Sequence, residues 1–139
     1  MKKPIQTFLI SSVLGSFFYL IIGWLIFDFI LGPYTEAHTT QILGFKKSTD
    51  FSFLFLYLSC LAYSALINFI LINISIDSFG KTIFFSSALG VMVACMTDFF
   101  WYASSHYYTD FTIVFLDIAG AAIAIGGLGG FTFLLKRKL

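Results

Sequence analysis

The sequence predicts an all-α integral membrane protein, a four-helix bundle with N-in/C-in topology, and three observations lead there. The first is composition. The chain of 139 residues is 59% hydrophobic and 11% charged, with a mean hydropathy of +0.94, where a soluble domain is about one-quarter charged. So little charge cannot cover a surface that faces water, and lipid becomes the expected solvent. The second is segmentation: the apolar residues gather into stretches at about 5–31, 51–76, 82–104 and 111–135. The third is asymmetry, because the basic residues fall mostly at one set of stretch ends.

Each stretch reaches the roughly 20 residues needed to cross a hydrocarbon core of about 30 Å. Backbone groups in lipid must bond to one another, so runs of this length are helices. They lack the alternation of barrel strands. The first stretch follows Met1-Lys2-Lys3. It is longer than the apolar core of a signal peptide, about 7–15 residues, and no small-x-small cleavage site precedes Asp28. It is therefore read as a retained signal-anchor helix that Gly32-Pro33 brings to an end. A long connection with Glu36, His38 and Lys46-Lys47 leads to the second stretch. Short turns at 77–81 and 105–110 join the rest, so neighbours in sequence are expected to pack antiparallel. The whole of 1–139 forms a single transmembrane domain.

Orientation follows from the positive residues. With both termini inside, the inner side holds Lys2, Lys3, Lys81, Lys136, Arg137 and Lys138, against Lys46 and Lys47 outside. Tyr34, Trp101, Tyr102, Tyr107 and Tyr108 then suit an aromatic belt at the outer interface. Asn73-Ile74-Ser75 matches a glycosylation pattern but falls on the inner side, which removes its weight.

Several function classes drop out. The net charge is +1, with no basic stripe, so the expected partner is the lipid bilayer and not nucleic acid. Cys60 and Cys95 have no partner at metal-motif spacing and read as small buried residues. An enzyme would have only Asp110, His106, His38 and Glu36 to work with, and no Ser-His-Asp, HExxH or CxxC arrangement supports one. The glycine-rich run Gly126-Gly127-Leu128-Gly129-Gly130 lacks the strand and the Lys-Ser/Thr ending of a phosphate loop. No enzyme and no cofactor are expected.

What stands out is acid inside apolar segments. Asp28, Asp98 and Asp117 all fall in the outer half of their helices, roughly 5, 9 and 9 Å from the outer ends at about 1.5 Å per residue. A carboxylate within a membrane helix is a functional-site hypothesis by default. Ser87, Val91, Ala94, Asp98, Tyr102 and Ser105 share one small, polar helix face. Asp117 shares a stripe with Gly120, Ala121 and Ala124, whereas the neighbours of Asp28 are bulky: Trp24, Leu25 and Leu31. The candidate ion- or proton-binding set is therefore Asp98, Asp117, Asp28, His106 and Tyr102. His38 and His106 are the candidates that would turn such a site toward a transition metal. Tyr57, Ser59, Tyr63, Ser64 and Asn68 offer hydrogen bonds from the second stretch, as donors to the carboxylates or as glue between helices.

Ala122, Gly126 and Gly130 form a small-xxx-small line. It is expected to seat the fourth helix on the Ser12, Ser16 and Gly23 groove of the first, or to make a homo-oligomer contact. Phe27-Asp28-Phe29 followed by His38, and Thr97-Asp98-Phe99 followed by His106, suggest a parallel duplication of helix pairs.

Thr97-Asp98, then Leu116-Asp117-Ile118-Ala119-Gly120-Ala121 opening a glycine-rich last helix, resembles the small four-helix membrane proteins of bacteria. The resemblance implies a multi-pass protein of the bacterial cytoplasmic (inner) membrane and transfers no residue role. Two readings follow. One is a protein that binds or passes protons or small cations at an acidic site in the outer half of the bundle. The other is a non-catalytic accessory or ligand-binding subunit.

Overall fold

The computed structural model describes residues 4–42, 52–74 and 76–139. Lys2, Lys3, Lys46, Lys47, Asp50 and Ser75, on which parts of the sequence argument fall, lie outside the described residues. The chain is all-helical: α1 (Pro4–Gly23), a π-helical continuation (Trp24–Ile30), α2 (Gly32–His38), α3 (Phe53–Asn73), α4 (Phe79–Ser104) and α5 (Phe111–Lys138). Four helical segments are long and apolar enough to cross a membrane, the first being α1 with its π-helical continuation. Among the described residues there is no strand, only an isolated bridge between Thr39 and Tyr108.

Local chemistry explains where the elements differ from expectation. The first span changes to π geometry at Trp24, and the Leu31 N–H donates to the Ile26 carbonyl, five residues back, at 2.9 Å. Gly32-Pro33 does end this span, but the chain does not leave helical geometry there. Pro33 sits in the first turn of α2, where its missing N–H has no partner to lose, and Thr35 N–H donates to the Leu31 carbonyl at 2.8 Å. Helix α4 starts earlier than the sequence suggested because the Ser78 carbonyl accepts from both the N–H and the hydroxyl of Thr82, at 3.0 and 2.9 Å. Asp110 caps α5 by accepting from Thr112 N–H at 3.1 Å. At the other end of α5, Lys136, Arg137 and Lys138 complement the partial negative charge of the helix terminus.

The helices pack in the order α3, α1, α5, α4, with α3 also touching α5. Antiparallel α4 and α5 make the most extensive contact. This corrects the seat of the small-residue line. Gly126 faces Ser87, and Gly130 faces Ile83 and Phe79, all on α4, while Ser87 donates to the Ala122 carbonyl at 2.9 Å. The opposed serine is small enough for close approach and carries a hydroxyl that reaches backbone. Helix α1 instead meets α5 through bulkier groups, with Phe18 stacked on Phe131 at 4.7 Å and Ile26 and Phe27 over Gly120. Ser16 and Gly15 of α1 face α3, where they meet Tyr57 and Ser64. A second correction concerns α3 and α4: although joined by a short connection, they share little contact, because α1 and α5 occupy the positions between them.

The bundle has two unlike ends. The start of α1, the connection before α4 and the tail of α5 lie at the end that holds Lys81, Lys136, Arg137 and Lys138, called here the basic end. The opposite, loop end carries α2 and residues 105–110. There the two halves are joined main chain to main chain: Thr40 N–H donates to Tyr107 O at 2.7 Å and Thr109 N–H to His38 O at 3.0 Å.

Candidate functional site

Every fourth residue of α4 from Thr82 to Asp98 is buried: Thr82, Ser86, Gly90, Ala94 and Asp98. That periodicity carries Asp98 into the bundle, where it is only 4% exposed. Asp117 on α5 is partly buried, between buried Val114 on one side and Gly120 and Ala121 on the other. Both lie roughly 9 Å inside their helix ends at about 1.5 Å per residue.

The structure brings these two carboxyls together, within hydrogen-bonding reach of each other. Asp98 Oδ1 accepts from the Tyr108 hydroxyl at 3.1 Å. The Thr97 hydroxyl stands 3.5 Å from the same oxygen but closer, at 3.0 Å, to the Ala94 carbonyl, to which it donates. Asp98 Oδ2 is buried and meets no donor. As two anions, neither acid has anything to give the other. A proton or a cation between them converts two facing acceptors into a bonded pair.

The surroundings are phenolic. Tyr108, at the loop end, has its hydroxyl held well above the usual tyrosine range by burial first and by the charges of Asp98 and Asp117 next, so it stays a donor. Tyr63 on α3 and Tyr19 on α1 lie on the other side of the acids, both within electrostatic reach of Asp117. Their rings stack at 5.4 Å. Every membrane-length helix therefore contributes a side chain to this region.

The other expected members fall elsewhere. Asp28 is exposed: the π-helical segment turns Ile26 and Phe27 onto Gly120 and leaves Asp28 on the outer surface. Tyr102 is exposed and sits edge-on to Phe111 at 5.1 Å, away from the acids. His106 is exposed. His38 stacks on Tyr34 at 4.0 Å and donates from Nδ1 to the Tyr34 carbonyl at 2.9 Å. Among the described residues no three His, Cys, Asp or Glu side chains gather where they could hold a metal ion. The suggested duplication is not repeated in the chemistry, since Asp98 is buried and Asp28 is exposed.

Sequence reasoning assigned Tyr108 to an interfacial belt and missed its role. The available signal was its position, in a short turn directly above Asp98. Nothing in the spacing tells Tyr108 from Tyr107 or Tyr102, because the bridge to Thr39 sets which ring points inward. No family model matches the chain, and no curated protein or solved structure matches it.

Proposed function

We propose that this chain is a multi-pass protein of a bacterial cytoplasmic membrane, basic end inside, whose Asp98–Asp117 pair takes up and releases protons from the loop end. The observation that carries this reading is a carboxylate 4% exposed, with one oxygen meeting no donor and a second carboxyl beside it. A proton fits this arrangement better than a metal cation. A hard cation takes six or more oxygen ligands, and around this pair the nearest neutral oxygen, the Tyr108 hydroxyl, donates rather than accepts. The reading is non-catalytic. It does not use the glycine face for self-association, because α4 of the same chain covers that face.

The test is infrared spectroscopy of the carboxyl band in lipid vesicles, paired with proton flux across the vesicle membrane. A pair of this kind shows a protonated-carboxyl band at neutral pH that disappears in Asp98→Asn, while flux falls roughly tenfold or more. Asn keeps the shape and donates to Asp117, so the fold is retained. Unchanged flux in Asp98→Asn, or none in the parent, would falsify this reading and place the chain in the accessory class.

A further inference from the structure

The opposite half of the bundle carries a second polar layer that the acid pair does not use. Ser11 and Ser12 of α1, Asn68 of α3, Ser86 of α4 and Thr132 of α5 are each 4% exposed or less. In every one a side-chain oxygen is buried with no hydrogen-bond partner. They come from every membrane-length helix. Packing register places Ser11, Ser12, Asn68 and Thr132 near one level. Gly15 faces both Ser64 and Leu128, and one helical turn, about 5 Å, toward the basic end from these three stand Ser11–Ser12, Asn68 and Thr132. Ser86 faces Gly129 and so stands one turn nearer the acids, level with Ser64, whose buried hydroxyl also has no partner.

Ordinary interhelical glue does not account for them. Polar groups that serve as glue are bonded across helices, as Ser87 is to the Ala122 carbonyl and Ser16 to the Tyr57 hydroxyl. A buried oxygen with no partner bears its full desolvation penalty, and such oxygens on every membrane-length helix within two adjacent helical turns are a shared feature. Water satisfies a site of this kind when two to four polar groups converge on it. A shallow recess at the basic end is lined by Leu71, Ile76, Thr82, Thr132, Phe133 and Lys136, with the buried Thr132 at its floor, so Thr132 joins the layer to the recess. Toward the acids the layer is bounded by the apolar cluster Ile67, Ile125 and Leu128, with Tyr19 and Tyr63 packed against it.

We infer that this layer is a water-binding vestibule, open at the Thr82–Thr132–Lys136 recess, that brings water from the basic side to the apolar cluster. It rests on the proposed function for what passes, protons, but not for where water stands. The acid pair and the vestibule are then two half-paths with the cluster of Ile67, Ile125 and Leu128 between them.

The experiment is cysteine reactivity in proteoliposomes, on a background with Cys60→Ala and Cys95→Ala. A membrane-impermeant charged thiosulfonate needs water to reach and ionise a thiol. Asn68→Cys and Thr132→Cys are expected to react roughly tenfold faster than the lipid-facing controls Phe69→Cys and Leu134→Cys, and only from the basic side. A second measurement needs no substitution. Solid-state NMR of the parent should show water cross-peaks to Asn68 and Thr132 and none to Ile125 or Leu128. Reaction no faster than the controls, or no water contact at Thr132, overturns the vestibule whatever the acids do. Fast labelling beside an Asp98→Asn variant with parental flux would remove the acid reading and leave the vestibule in place.

Discussion

At the scale of single residues, the Tyr108 hydroxyl is the contact most open to test. It is the donor that Asp98 Oδ1 meets at 3.1 Å, and hydrogen bonds to ionised groups contribute about 1.5–3 kcal/mol. Tyr108→Phe keeps the ring and removes that donor, so we expect a loss of stability of about 1–3 kcal/mol, read by thermal denaturation in detergent. No change would mean that the pair holds its geometry without the phenol. Asp110 gives a pH-dependent counterpart outside the spans. Its carboxyl is held below the ordinary value of 3.8, first by the N–H and then by the hydroxyl of Thr112. A lowered carboxyl stabilises the fold above its unfolded value, and that contribution disappears as pH falls through the folded one. Stability of the parent should therefore decline as pH drops below about 3.8. Asp110→Asn, itself a good cap, should keep the helix start and flatten that part of the pH profile. An unaltered profile would show that other carboxyls set it.

At the scale of elements, the glycines of α5 and α1 separate by what surrounds them. A Cβ at Gly129 would meet Ser86 below contact distance and Thr82 backbone oxygen at 3.3 Å. Gly129→Ala is thus expected to destabilise by about 1–3 kcal/mol through overpacking, with Ser86→Gly restoring part of the loss. Nothing lies within 4 Å of such an atom at Gly23, and its backbone is right-handed helical at φ −62°. Gly23→Ala should therefore stabilise, by roughly 0.5–1 kcal/mol, and equal effects at the two positions would refute the packing described. Spacing alone does not separate these glycines. The small-xxx-small line of Ala122, Gly126 and Gly130 says that something approaches closely, and only the facing Ser87 and Ile83 say that it is α4. The π-helical segment was equally invisible. An α-helical reading of Trp24–Ile30 fixes its length but not its rotation, and rotation decides that Phe27 packs inward while Asp28 does not. By contrast, the long apolar stretches were legible within a few residues, because stretches long and apolar enough to cross a membrane are expected to be helical. For Asp98 and Asp117 the sequence offered equal depth and small-residue stripes on antiparallel neighbours, but the spacing left open whether the two meet.

At the scale of the whole molecule, the described cations sit at one end, on Lys81, Lys136, Arg137 and Lys138, with Arg137 held over the Phe133 ring at 4.8 Å. Short flanking segments rich in Lys and Arg stay on the cytoplasmic side. A fluorescent protein fused after Leu139, of a kind that matures only in the cytoplasm, should therefore light up, and a periplasm-dependent phosphatase at the same place should be inactive. The reverse pattern would invert the bundle and put the acid pair on the cytoplasmic side.

The stitch between His38–Thr40 and Tyr107–Thr109 makes the acid pair sensitive to events far along the polypeptide. The phenol that meets Asp98 stands on a strip of backbone anchored to the N-terminal half as well as to its own helix hairpin. A protease nick, a bound antibody or a mechanical tug at Thr39 would thus reach a carboxyl that none of them touches.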